Sequence, residues 1–170
     1  MTPEVGSTVQ YQIRPVRWDD AQRLQDLLHN LSDESRFMRF LSNMKEFPPE
    51  QLDRFTHPLE KTEAALAAVT KLDGKEQIIG VARYMTLPQK ANAKKSAEFA
   101  IVVLDQFHNQ GIGSTLMNRL CAVAKEHGLQ QIEGFVLGQN PSMLKLMHHL
   151  GFKIEVDPED ARMRRVTRDL

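Results

Sequence analysis

An apolar, strand-like run, Ala97-Glu98-Phe99-Ala100-Ile101-Val102-Val103, passes into a short loop with Gly111 and Gly113 at alternate positions, and a helical pattern starts at once. That junction constrains the chain more than any other stretch. Glycine lets a backbone approach a ligand closely and adopt positive φ. The first turn of a helix leaves N–H groups unpaired, and its dipole favours negative charge there. Together these make a seat for a pyrophosphate. A dinucleotide fingerprint needs a third glycine where this chain has Leu116, and a P-loop needs a lysine that the loop lacks. Taken alone, the loop reads equally well as a glycine turn that only caps a helix.

Upstream, residues 9–13 alternate apolar and polar, which predicts a half-buried strand closed by Pro15. Asp19 and Asp20 are placed to cap a helix whose Ala21, Leu24, Leu27, Leu28 and Leu31 recur at helical spacing. Ser32-Asp33-Glu34-Ser35 looks like a second helix start, with Phe37, Met38, Phe40 and Leu41 on its apolar side. Pro48-Pro49-Glu50 begins a third helix through Leu52 and Phe55. The character then changes: residues 64–70 and 77–87 read as strands about an Asp73-Gly74-Lys75 turn, and residues 96–104 as a third. Residues 88–95 are polar and basic, a solvated connection or a substrate contact. A helix over about residues 112–127 buries Ile112, Leu116, Leu120 and Val123, with Gly128 at C′. Residues 131–137 predict a strand and 141–150 a helix, and Gly151-Phe152 leads into a last strand or pair. Without repeats or linkers, residues 1–170 are expected to form a single α/β or α+β domain.

Composition sets the outer limits. Lys plus Arg and Asp plus Glu each number 22 in 170 residues, which gives no electrostatic reason for nonspecific nucleic-acid or membrane binding. One cysteine cannot close an internal disulfide, so a cytoplasmic protein is expected. The first seven residues lack the basic and apolar regions of a signal peptide.

His108-Asn109-Gln110-Gly111-Ile112-Gly113 resembles motif A of the GNAT superfamily, Gln/Arg-x-x-Gly-x-Gly/Ala at a strand-to-helix junction, with His108 in the first position. Asn140-Pro141-Ser142-Met143 followed by Leu150-Gly151-Phe152 is similar to motif B at the family's separation. Arg14-Pro15, residues 31–40, Gly80-Val81-Ala82-Arg83 and Ala97-Glu98-Phe99-Ala100 look like the acetyltransferase domain of bacterial Pat-type protein lysine acetyltransferases. Their usual companions, acyl-CoA-synthetase-like or cyclic-nucleotide modules, are not among these 170 residues. The resemblance implies a mixed, mostly antiparallel sheet splayed at its centre, with helices on both faces. It implies an N-acetyltransferase that moves acetyl directly from acetyl-CoA to a primary amine, a protein lysine foremost, with no metal. Ile101, Val102 and Val103 would pair with the pantetheine arm. The amides of Asn109, Gln110, Gly111, Ile112, Gly113 and Ser114 would hold the pyrophosphate, and Asn140 would sit near the arm. His108 would touch phosphate or be a plain loop residue. A monomer or homodimer is expected.

A lysine-like amine of pKa about 10.4 is only about one part in two thousand neutral at pH 7, so a general base is worth having. Glu98 aligns with the glutamate that Pat-type domains use as base; otherwise it is a strand-end acid facing solvent or paired with Arg83. The tyrosine that many GNAT enzymes use to protonate the thiolate is replaced by Met147, and Met143, Met147 and Leu150 read as packing. Cys121, mid-helix, reads as a core thiol and not as a nucleophile. His148 and His149 have no ligand spacing. The rival readings are a small-molecule amine acetyltransferase and a non-catalytic acyl-CoA sensor.

Overall fold

In the computed structural model, which describes residues 8–170, the sheet is organised about the hairpin that joins β2 (Glu63–Leu72) to β3 (Lys75–Thr86). Asp73 and Gly74 both take left-handed backbone, φ 52° and 77°, the turn whose twist matches two antiparallel strands. With β1 (Gln12–Pro15), β4 (Ser96–Val103), β5 (Gln131–Leu137), β6 (Lys153–Asp157) and β7 (Asp160–Asp169), they form one seven-stranded sheet in the order β1-β2-β3-β4-β5-β7-β6. Every neighbouring pair is antiparallel except β4 with β5. The first seven residues, read above as carrying no targeting segment, lie outside the described residues. Among the described residues, no helix is long and apolar enough to cross a membrane.

Helices cover both faces, as the sequence implied. Residues α1 (Ala21–Asn30), α2 (Asp33–Phe40) and α3 (Pro49–Thr56) lie on one side, and α4 (Ile112–Glu126) on the other. Two adjacent residues of β3 show this. A Cβ at Gly80 would stand 3.2 Å from Leu116 of α4, while Val81, pointing oppositely, lines a cavity with Leu24, Leu27 and Leu28 of α1. The fifth helix, α5 (Pro141–His149), packs against β6 and closes on α4, where a Cβ at Gly113 would be 3.0 Å from Leu146. Leu24, Ile78, Leu116, Leu120, Ile132 and Met147 are fully buried in one core.

Some expectations shift. The first strand runs from Gln12 to Pro15 instead of over residues 9–13; Pro15 does end it, as a paired last residue opposite Leu66. An edge strand tolerates proline because one side of the ladder has no partner to serve. Asp20 precedes α1 but makes no side-chain cap; its carboxylate is drawn instead to Arg14 and Arg23 and to the Arg17 amide. The second helix does start at Ser32, which accepts from the Ser35 amide. Yet its buried residue is Arg36, bonded to the carbonyls of Leu28 and His29, while Phe37 is 42% exposed. Leu41, 49% exposed, falls past the helix end in left-handed conformation.

Candidate active site

The sheet opens where the one parallel pairing stops. Strands β4 and β5 pair only at Ser96–Gln131, Ala97–Ile132 and Glu98–Glu133, although both continue beyond. At the next residue the Phe99 ring occupies the space above Gly134, where a Cβ would come within 2.7 Å of it. That ring also packs on Phe152, with centroids 5.4 Å apart. From Phe99 onward β4 therefore has β3 on one side and an unpaired edge on the other.

Strand alternation decides which groups face the opening. The Leu104 amide donates to the Ile79 carbonyl of β3, so the peptide groups of Val103 and Ile101 point away from β3, into the gap. Those of Val102 point toward β3, leaving its side chain as its contribution to the site. One group at the opening is already engaged: the His108 ring donates from Nε2 to the Val103 carbonyl at 2.8 Å. Since a carbonyl only accepts, this contact fixes the proton on Nε2.

At the head of this edge, a 3-10 turn (Asp105–Phe107) leads into the glycine loop. Asn109 and Gly111 are both left-handed, φ 63° and 79°, backbone of the kind that gathers N–H groups around an anion. The first α4 hydrogen bond runs from the Thr115 amide to the Gly111 carbonyl, so the amides of Ile112, Gly113 and Ser114 have no helical acceptor. The first turn of α4 carries no acid to compete for them. The Gln110 side chain is spoken for, accepting from the Val9 amide at 2.9 Å. Asn140 caps α5 by accepting from the Met143 amide at 3.3 Å.

At the foot of the edge stands Glu98, exposed and facing Glu133 across the last rung. Glu133 is 13% exposed and held by Arg165 at 2.6 Å, so the two acids are differently employed. Partial burial, and then the Glu133 carboxylate, push the Glu98 carboxyl above its ordinary range, while Arg39 pulls the other way. Such a group is a better proton acceptor than an ordinary carboxylate. The alternative pairing with Arg83 is not found: the Arg83 guanidinium lies 3.6 Å over the Phe55 ring.

The remaining candidates sort themselves by burial. Cys121 is buried in α4, and burial raises its thiol pKa, so it is no thiolate nucleophile. Met147 is fully buried, and Met143 and Leu150 pack against the core. The sequence reading missed Glu133 and Arg39. An acid two positions into β5 was visible, but only the strand register shows that it faces Glu98.

A parallel pair that separates in mid-strand, between an anion-seating helix start and a carboxylate, is the arrangement of a GNAT acyltransferase. The model of the acetyltransferase (GNAT) family matches residues 25–152. This chain belongs to that family and is a GNAT-family acetyltransferase. An acetyltransferase of Pseudomonas aeruginosa is 30% identical over 149 residues, 88% of this chain and 78% of the relative. The acetyltransferase Pat of Mycolicibacterium smegmatis is 30% identical over 83% of this chain, which spans only 40% of that longer protein. The crystal structure of the GNAT domain of S. lividans Pat has TM-score 0.83 and 30% identity, covering 94% of this chain and 90% of its own.

Proposed function

We propose that this enzyme transfers the acetyl group of acetyl-CoA to a primary amine, a protein lysine foremost, in a ternary complex with Glu98 as general base. The observation that carries the reading is the continuity of the site. The free edge of β4 runs from the glycine loop down to Glu98, about 17 Å of strand for the five residues between Glu98 and Val103. A donor with a charged diphosphate head and a long thin arm fits that shape. Its diphosphate takes the amides of Asn109, Gln110, Gly111, Ile112, Gly113 and Ser114, and its arm adds to the edge through Ile101 and Val103. Val102 and Asn140 line the arm, and the His108 ring fixes the carbonyl at the head of the edge. The acetyl group then lies at the level of Glu98. The amine gives its proton to Glu98, its nitrogen bonds to the acetyl carbon, and the carbon–sulfur bond breaks to release the thiolate. With Met147 buried in place of an acid, the thiolate leaves unassisted; a thiol of pKa about 8.5 permits that.

Residues 1–170 are on this reading one catalytic domain of the cytoplasm, a monomer or homodimer. One sheet, one core and a single buried cysteine support it. Calorimetry with acetyl-CoA, repeated with lysine-bearing proteins while free thiol is followed, tests the function. Binding with acceptor-dependent thiol release is expected. Binding without turnover on any acceptor would turn the assignment toward a sensor, and absence of binding would remove it.

A further inference from the structure

The face of the sheet that carries Glu98 meets two half-buried arginines, Arg83 of β3 and Arg39 of α2. Arg83 stands opposite Ala100, and Met85 opposite Glu98, so Arg83 and Glu98 project from the same face two rungs apart, as diagonal neighbours. Arg39 reaches that face from α2 and lines one small cavity together with Arg83, Ala100 and Val102. The Arg83 guanidinium lies over Phe55 and the Arg39 guanidinium 4.7 Å over Phe40, aromatic planes that hold each fork in place. Several other arginines meet acids: Arg14 meets Asp20 and Glu76, Arg162 meets Asp160, and Arg165 meets Glu133, while Arg164 bonds to the carbonyls of Ala161 and Met163. Among the described residues, neither Arg39 nor Arg83 has a carboxylate within ion-pair distance or donates a hydrogen bond.

Two half-buried cations held side by side repel one another. Burial, and for Arg83 also the Arg39 charge, lowers their pKa values to about 10 and about 9, so both remain charged at neutral pH. The pair brings five N–H donors per guanidinium, aimed by aromatic stacking and unspent within the protein. The cavity they line measures about 20 Å³, room for about one water, so a larger anion is met at its rim.

We propose that Arg39 and Arg83 form an anion seat in the acceptor cleft, and that the acceptor carries a carboxylate close to the amine that Glu98 deprotonates. The proposal rests on the reading of Glu98 as base. The carboxylate has two possible sources: an acidic side chain beside a protein lysine, or the acceptor's own carboxylate in a free amino acid. A bare polyamine, all cation, would be refused by the same two charges.

The test uses the whole chain with saturating acetyl-CoA and matched acceptor pairs. One pair is a terminally blocked peptide with a single lysine flanked by glutamate, against the same peptide with glutamine. The other is free lysine against cadaverine, which lacks only the carboxylate. The carboxylate member of at least one pair should exceed its partner in kcat/KM by about tenfold or more, as a charge-assisted bidentate contact allows; the pair that shows it names the source. Arg39→Gln and Arg83→Gln should bring that ratio to near one, with lysine substitutions restoring only part of it. Acetyl-CoA binding by calorimetry serves as the check that each variant is folded. A change in Glu98 basicity caused by losing Arg39 would scale both members alike and leave the ratio intact. Equal rates within both pairs, or a ratio that survives both glutamine variants, would overturn the seat while leaving the acetyltransferase reading standing. Bound acetyl-CoA with no turnover on any acceptor would overturn both.

Discussion

Glu98 and Glu133 share one rung of the sheet, and what separates their roles is a single guanidinium. Arg165 holds Glu133 at 2.6 Å, whereas Glu98 has only the more distant attraction of Arg39 against partial burial and the facing negative charge. A base works in its deprotonated form, so activity should fall as pH drops through the raised pKa of Glu98. Glu98→Gln should remove that acidic limb and lower kcat by about 10²- to 10⁴-fold, the usual worth of a positioned base. An unchanged rate and pH profile would dismiss Glu98 as base. Glu133→Gln should act with the opposite sense on the profile. Taking away the facing charge, and leaving Arg165 unneutralised, favours the ionised form of Glu98, so the limb should move to lower pH. Rate–pH profiles of kcat/KM for the three proteins would show both effects.

The cofactor-binding element depends on glycines for two different reasons, and substitutions can separate them. Gly111 is left-handed at φ 79° with open space where a Cβ would go. Gly111→Ala therefore meets no neighbour and costs only the strain of that conformation, about 1–2 kcal/mol. Gly111→Glu adds a charge beside the diphosphate and should weaken acetyl-CoA by at least about tenfold more than alanine does, about 1.4 kcal/mol by calorimetry. Equal affinities for the two would mean that the diphosphate lies elsewhere. Gly134 is a matter of space. Its missing Cβ is where the Phe99 ring lies, and Phe152 blocks that ring's retreat. Gly134→Ala should cost about 1–3 kcal/mol and lower Tm by several degrees, with the opening between β4 and β5 disturbed. These elements also mark what the sequence alone could tell. The glycine loop, the helix stop at Gly128 and the Asp73-Gly74 turn were legible because each is a local backbone requirement. A splayed sheet was implied only by the family resemblance, and its opening after Glu98 was not legible in the residues, because it depends on a ring from one strand lying over a glycine of another, thirty-five positions away. Arg39 and Arg83 were illegible as a pair for the same reason: only the packing of α2 on the sheet brings them together.

Across the whole molecule, one charged cluster ties the edge of the sheet to the helical layer beside the acceptor face. Asp20, fully buried ahead of α1, accepts two bonds from Arg14 of β1, at 2.8 and 2.9 Å, one from the Arg17 amide and one from Arg23 of α1. Arg14 also reaches Glu76 of β3. Sequence reading placed Asp20 as a helix cap, whereas its side chain bonds to Arg14 of β1, the Arg17 amide in the turn and Arg23 of α1, all within six residues. Burial alone would raise the Asp20 pKa, but the bonds from Arg14 and Arg17 outweigh it and hold the carboxyl below its ordinary range. A carboxylate with a depressed folded-state pKa stabilises the fold fully above its unfolded value, about 3.9, and loses that contribution as pH falls through the lower, folded value. Asp20→Asn keeps the shape but removes a fully buried charge, leaving the half-buried Arg14 guanidinium with Glu76 as its remaining acid. It should cost about 3–5 kcal/mol at pH 7. Urea unfolding of both proteins at pH 7, 5, 4 and 3 would show a gap that is steady down to about pH 4 and narrows below it, as protonation takes the same charge from the wild type. A gap independent of pH throughout would mean that Asp20 acts through shape and hydrogen bonding, and that its charge adds nothing to the joint between sheet and helices.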